Sequence, residues 1–268
     1  MIPNILSIAG SDPSGGAGIQ ADLKAISANG GYAMAAITAL TAQNTQGVQA
    51  VQMIEPEIVA AQIAAIRADI AIHAVKIGML GTALIIETVM EALADLDAPI
   101  VLDPVMVAKS GDRLLQAEAV AALRAALPRA AVITPNLPEA ADLLGAPEGT
   151  TRDQMAAQAQ DLLALGPKAV LLKGGHLPGG DCPDLLARAE GLTWLPGPRQ
   201  ITRKTHGTGC TLSSALATCL GHGLPLDQAA AKAKDYVARA IAAADALNVG
   251  QGHGPTHHFH AFPQELLP

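Results

Sequence analysis

Aromatic residues are almost missing from this chain of 268 residues. Trp194, Tyr32, Tyr236, Phe259 and Phe262 are all it has, so the core must be built from Ala, Val, Ile and Leu. A row of stacking platforms for single-stranded nucleic acid is excluded by the same shortage. Basic residues are in deficit too: 17 Lys and Arg against 24 Asp and Glu leave a formal charge of −7. That balance opposes nucleic acid or an anionic membrane as a partner. No apolar run approaches the ~18 residues that a membrane span needs. The opening Met-Ile-Pro-Asn has no basic leader region, so no signal peptide is expected. Cys182, Cys210 and Cys219 are an odd number without metal-ligand spacing, and a reducing cytoplasm is the expected compartment. Linker tracts and solenoid-period repeats are lacking as well, which leaves a single domain over residues 1–268.

What the chain does have is alternation. Short apolar runs begin near Ile5, Tyr32, Ala74, Pro99, Ala131 and Ala169, and each is followed by a stretch with helical periodicity. The expected helices start near residues 19, 56, 83, 117, 137, 152, 211 and 226. Pro56 opens one of them, and Thr151 with Gln154 fits a capping box at another. Nearly continuous apolar strands alternating with helices predict an α/β fold whose mostly parallel central sheet is buried on both faces. Residues 174–201 break the rhythm with Gly, Pro and two short apolar runs, and read as an antiparallel addition at a sheet edge. The polar residues 41–47 read as a loop.

In an open parallel sheet, ligands bind outside the carboxyl ends of the strands. Here those ends carry Ser11 and Asp12, Gln43 and Asn44, Lys76 to Met79, Asp103, Thr134 to Asn136, and Lys173 to His176. The stretch Arg-Lys-Thr-His-Gly-Thr-Gly-Cys at residues 203–210 holds Gly207 and Gly209 just before a helix, a ready anion site. Cys210 at such a helix start is expected to have a lowered thiol pKa. Lys173 followed by two glycines could bring an ammonium and bare backbone to a phosphate. Asp103 and Glu139 offer the hard oxygens that Mg²⁺ needs beside substrate phosphates. Residues 10–18 are glycine-rich but are neither a Walker A loop nor a clean dinucleotide fingerprint. His176 and His206 read as solvated loop residues, and the histidines of the tail, His253, His257, His258 and His260, as a docked terminal segment.

Taken together, several motifs resemble the hydroxymethylpyrimidine / phosphomethylpyrimidine kinases of thiamine biosynthesis. They are Gly-Ser-Asp-Pro-Ser-Gly-Gly-Ala-Gly-Ile-Gln-Ala-Asp at residues 10–22, Ala-Gln-Asn-Thr-Gln-Gly at 42–47 and Lys-Ile-Gly-Met-Leu at 76–80. Asp-Pro-Val-Met at 103–106, Thr-Pro-Asn at 134–136, Lys-Gly-Gly-His at 173–176 and Thr-His-Gly-Thr-Gly-Cys at 205–210 belong to the set, and the tail from Gly252-His-Gly-Pro255 to Phe262 is similar too. The resemblance spans essentially the whole chain in order. It implies a ribokinase-like three-layer α/β/α fold and ATP with Mg²⁺ as cofactors.

By the same resemblance, residues 207–210 would be the anion hole, with Cys210 as the base. Lys173, Asn136, Thr205 and Thr208 would hold ATP, and Asp103 and Glu139 the metal. Gln43, Asp22, Gly10, Ala17, Met79 and Val105 would line the pyrimidine pocket, and residues 109–114 would be a flap. A small-molecule substrate, no nucleic acid, no membrane and a homodimer are the expected partners. Pyridoxal kinase activity is the alternative within the fold. A cysteine hydrolase built on Cys210 and a non-catalytic pyrimidine-binding protein are the alternatives outside it.

Overall fold

The computed structural model describes residues 1–106, 115 and 118–262. Among the described residues, nine strands form one sheet in the order β3-β2-β1-β4-β5-β6-β7-β8-β9. These are β1 (Asn4–Ser11), β2 (Tyr32–Asn44), β3 (Gly47–Met53), β4 (Ala74–Ile77), β5 (Ile100–Leu102), β6 (Val132–Ile133), β7 (Ala169–Leu172), β8 (Asp184–Arg188) and β9 (Gly191–Leu195). Each neighbouring pair from β2 through β7 is parallel, whereas β3 at one edge and β8–β9 at the other are antiparallel. The chain leaves β1 to one side for β2 and returns on the other for β4, so the order reverses at β1/β4. That reversal is where an open α/β sheet opens a crevice.

Helices cover both faces, giving the expected three layers. Helices α2 (Pro56–Asp69), α3 (Ala83–Ala92), α4 (Ala119–Ala126), α5 (Leu137–Leu144) and α6 (Arg152–Ala164) pack on the face that carries Leu6, Ile8, Val75, Ile77 and Leu102. Helices α1 (Gly18–Ala28), α7 (Thr208–Gly221) and α8 (Leu226–Ala242) pack on the face of Ile5, Ala74, Val101, Val132 and Leu171. The alternation along each strand decides which side chain meets which layer. It sends Ser7 and Lys76 toward α1 and α7.

The sequence reading needs correction at several boundaries. Residues 41–47 are not a loop throughout: β2 continues to Asn44 and turns directly into β3, with Leu40 opposite Gln52 and Ala42 opposite Ala50. This is an edge hairpin, so most of β3 is solvated and its residues lack the apolar signature of a buried strand. Helix α7 starts at Thr208, three residues before the expected Thr211, because Gly207 in a left-handed conformation (φ 75°) already caps it. At α6 the Thr151 hydroxyl accepts from the Gln154 N–H, but Gln154 Oε1 accepts from Thr150 N–H, so the reciprocal half of the box is displaced by one residue. The expected flap at residues 109–114 lies outside the described residues.

Candidate active site

The first turn of α7 lies over the carboxyl ends of β5 and β7. A methyl group on Gly209 would sit 3.3 Å from Lys173 Nζ and 3.4 Å from Asp103 Oδ2. The helix's hydrogen-bond ladder opens with Thr211 N–H donating to Gly207 O at 2.9 Å. The amides of residues 209 and 210 precede that ladder at its positive end, while Thr208 N–H donates to Thr205 O at 3.4 Å. An anion cradle thus stands beside a lysine and a carboxylate.

Lys173 follows β7 directly and reaches between two acids. Its Nζ donates to Asp103 Oδ1 at 3.0 Å and lies 3.7 Å from Glu139 Oε2. Asp103 Oδ1 also accepts from the Thr134 hydroxyl at 3.0 Å, and the Ser213 hydroxyl faces Oδ2 at 3.5 Å. Glu139 closes the capping box of α5: its Oε2 accepts from Asn136 N–H, and Asn136 Oδ1 accepts from Glu139 N–H, both at 2.8 Å. Burial pushes Glu139 up to about 7; Lys173 pulls against that shift, and the Asp103 charge adds to it. Burial alone would depress the Lys173 ammonium, yet Asp103 and Glu139 hold it above the usual lysine range. The cation is therefore fixed, and Glu139 is the member of the cluster that can change charge near neutral pH.

The glycine-rich loop at residues 12–17 is organised by Asp12, which is 2% exposed. Its Oδ1 accepts from the Ser14 N–H and hydroxyl at 2.9 and 2.7 Å, and its Oδ2 from Ala17 N–H at 2.9 Å. His206 Nε2 sits 2.8 Å from the same Oδ2. Burial would raise the Asp12 pKa, but the hydrogen bonds from His206 and Ser14 hold it below the usual range. His206 is thus a buried, paired residue and not the solvated one expected from the sequence. It draws residues 12–17 against the anion loop so closely that a methyl at Gly207 would lie 1.8 Å from Gly16 O, and one at Gly16 2.2 Å from His206 Cδ2.

Beneath the loop lies a fully buried ion pair. Lys76 Nζ donates to Asp22 Oδ2 at 2.8 Å and to Oδ1 at 2.9 Å, with neither side chain exposed. Ser7 and Ser214 donate their hydroxyls to the remaining positions on Asp22 at 2.6 and 2.8 Å. Asp22 is therefore wholly enclosed with both oxygens occupied, and no face of it is open to line a pocket as expected. The expected low thiol pKa of Cys210 is overturned as well. Burial pushes the thiol up to about 11; Lys76 and the Gly18 N–H pull it down, but Asp22 and Asp103 add to the rise. A helix start lowers a thiol pKa only where its charge is not outweighed by desolvation and two carboxylates.

Of the other expected site residues, Gly10 and Met79 meet at the ends of β1 and β4, where a methyl on Gly10 would touch Met79 Sδ at 3.0 Å. Ala17 caps α1, and Val105, half-buried, follows Asp103 and donates its N–H to Asp103 O. Thr205 O accepts from Thr208 N–H at 3.4 Å as the anion loop closes. Gln43 stands at the end of β2 with its Oε1 accepting from the Thr41 hydroxyl at 3.2 Å. Sequence reasoning missed the roles of Asp12, His206, Lys76 and Ser213. One signal was available: Lys76 interrupts a four-residue strand that is buried throughout, and Asp22 interrupts the buried stripe of α1 between Ile19 and Ile26. A charge in each of two apolar faces calls for a partner.

A family model described as phosphomethylpyrimidine kinase matches residues 12–257. The chain belongs to the phosphomethylpyrimidine kinase family. It is 52% identical to the hydroxymethylpyrimidine/phosphomethylpyrimidine kinase of Escherichia coli K12 over 97% of this chain and 98% of that protein. A bifunctional thiamine biosynthesis protein of Geobacter sulfurreducens is 45% identical over 95% of this chain, which spans 52% of that longer protein. Among solved structures, the ADP complex of Bacillus subtilis pyridoxal kinase superposes with a TM-score of 0.90 at 37% identity, covering 97% of this chain and 99% of that one. Membership in the kinase family removes the cysteine-hydrolase and binding-protein alternatives for residues 205–210. No helix among the described residues is long and apolar enough to cross a membrane.

Proposed function

We propose that this kinase transfers the γ-phosphoryl group of ATP to the hydroxymethyl oxygen of 4-amino-5-hydroxymethyl-2-methylpyrimidine. A second transfer, onto the phosphate of the resulting monophosphate, gives the pyrophosphate used in thiamine diphosphate biosynthesis. The observation that carries the assignment of this chemistry to a place is the first turn of α7 lying over Lys173 and Asp103. Phosphoryl transfer through a loose transition state asks mainly for positioning and for charge aimed at the transferring oxygens. The amides of residues 209 and 210 supply fixed donors, and Lys173 supplies a fixed cation.

The residues present suit Mg²⁺ held largely by phosphate oxygens, since such sites need only one or two protein carboxylates. Asp103 and Glu139 would hold it, and no cluster of three or more ligands exists among the described residues to hold an ion unaided. When bound, the ion would neutralise charge shared between the β- and γ-phosphates. Asn136, Thr205 and Thr208 would contact ATP. Gly10, Ala17, Gln43, Met79 and Val105 form the pyrimidine side, where the Gln43 amide can both donate and accept. A homodimer in the cytoplasm is the working assembly and location, and light scattering of the purified chain reads the dimer directly.

Cys210 is assigned the hydroxyl proton. A thiol at about 11 leaves only ~10⁻⁴ of the enzyme as thiolate at pH 7. The kcat/KM for the pyrimidine alcohol, which reports the free enzyme, should therefore climb about tenfold per pH unit from 7 to 9. In Cys210→Ala that slope should vanish and kcat fall by about 10². A flat wild-type profile would remove Cys210 as the titrating base.

Pyridoxal is the second reading, favoured by the likeness to a pyridoxal kinase structure. One coupled assay decides between the substrates. Turnover with ATP should be highest on the pyrimidine alcohol, measurable on its monophosphate and weaker on pyridoxal. Faster turnover of pyridoxal would reverse the assignment.

A further inference from the structure

Residues 250–258 join two parts of the site that are far apart in the sequence. At one end the β2–β3 turn, which continues the strand that carries Gln43, grips them. His253 N–H donates to Thr45 O at 2.8 Å and Gly252 N–H to Thr45 Oγ1 at 3.2 Å. No side chain fits there, because a methyl at Gly252 would lie 2.0 Å from Thr45 O. At the other end the anion loop grips them: His206 N–H donates to Gly254 O at 3.0 Å, and His206 forms a parallel bridge with Pro255.

A chain of donors continues from this segment into α7. His258 Nε2 lies 3.0 Å from Thr211 Oγ1, and the Thr211 hydroxyl donates to Gly207 O at 2.8 Å. A carbonyl can only accept, so the single hydroxyl proton points to Gly207 and His258 Nε2–H donates to the hydroxyl. Burial pushes His258 down to about 4, with Lys24, His257 and His260 adding to the shift, so its imidazole remains neutral at physiological pH. The Tyr236 hydroxyl secures His258 O at 2.8 Å. Gly254, Pro255, Thr256 and His258 are all buried. Irregular chain ordinarily frays unless it is tied down, and here the ties run to the β2–β3 turn, to the anion loop and to α7, with α8 anchoring the far end through Tyr236 and through Ala240 O, which accepts from His257 N–H at 2.9 Å.

We propose that residues 252–258 are a positioning strap that fixes the Gln43 edge and the anion loop at one separation, so that an alcohol held at the first faces a phosphoryl group held at the second. The proposal rests on the assignment of residues 207–210 as the phosphoryl-binding turn. A displacement of about 1 Å between reacting groups can cost on the order of 10²-fold in rate, which is why such a tie belongs to the catalytic machinery and not only to the fold.

The test uses full-length Gly252→Ala, which releases the hairpin end, and His258→Phe, which releases the α7 end, with the double variant. Gly252→Ala should lower kcat/KM for the pyrimidine alcohol by about tenfold or more, with KM for ATP unchanged and the protein still folded at the assay temperature. His258→Phe should lower kcat, and His258→Gln, which can still donate to Thr211, should recover most of it. The double variant should lose less than the product of the two single losses, because a strap released at one end no longer transmits from the other. If Gly252→Ala does not fold, Thr45→Ala, which removes only the bond to Gly252 N–H, takes its place. Losses that track the folded fraction with both KM values unchanged, or that multiply in the double variant, would overturn the strap. A Lys173→Met control that kept full turnover would instead overturn the anion-loop assignment itself.

Discussion

Lys173→Met is expected to lower kcat by about 10³-fold or more while the protein remains folded. The size follows from what is removed: a cation fixed beside the turn proposed to bind the phosphoryl group. Fixed cations that stabilise a phosphoryl transition state contribute about 10³–10⁵-fold in related chemistries. The survival of the fold follows from the neighbours. Removing one partner of a buried ion pair usually leaves a stranded charge and costs about 3–5 kcal/mol. Here Asp103 keeps its bonds from Thr134 and Ser213, and Glu139, already near 7, can take up a proton. A neutral Glu139 restores the charge balance that the lost ammonium upset. Thermal melts of Lys173→Met should accordingly show a modest drop that is larger at pH 8 than at pH 6, whereas the kinetic loss persists at both. Lys173→Arg should not restore wild-type turnover, because a planar fork cannot replace a point charge between two carboxylates. Retention of full kcat in Lys173→Met would remove the lysine from the chemistry.

Gly207→Ala is expected to be comparably damaging for a different reason. Its φ of 75° lies in the left-handed region, where a Cβ costs roughly 1–2 kcal/mol. More seriously, the new methyl would stand 1.8 Å from Gly16 O, a backbone atom with no rotamer to escape into. The anion loop and the glycine-rich loop must then separate by on the order of 1 Å, and such a shift alone costs about 10² in rate. The displacement also reaches the amides of residues 209 and 210, each of which is worth about 10²–10³ if it acts as an oxyanion donor. A fall in kcat/KM of about 10³ or more is the expected reading, with weaker binding of ATP. Gly209→Ala should be milder, since its methyl would meet only side-chain atoms, Lys173 Nζ at 3.3 Å and Asp103 Oδ2 at 3.4 Å, and no backbone.

The architecture was largely open to a reader of the sequence because it rests on local patterns. Continuous apolar runs and helical periodicity are properties of neighbouring residues, and they located the six parallel strands and the layers around them. The edge hairpin was hidden because β3 is solvated on most of its length, and solvated strands and loops share a composition. In the site, Lys173, Asp103 and Glu139 could be named from their places at strand ends. What could not be read was the charge state that distant partners impose. Cys210 has the local signature of an activated thiol, yet burial reverses the shift, and Asp22, 188 residues before it, and Asp103 add to the rise. His206 looks solvated in its own stretch and is buried only because Asp12, 194 residues earlier, takes its ring nitrogen. The tail's histidines likewise acquire meaning from Thr45 and Thr211 and not from their own spacing.

The proposed function assigns both phosphoryl transfers to the single turn at residues 207–210. Single-turnover transfer of label from γ-labelled ATP, followed separately on the pyrimidine alcohol and on its monophosphate in wild type and Gly207→Ala, tests it most directly. The account predicts that both transfers slow by the same factor, about 10³ or more. A variant that loses the first transfer and keeps the second at its wild-type rate would contradict it.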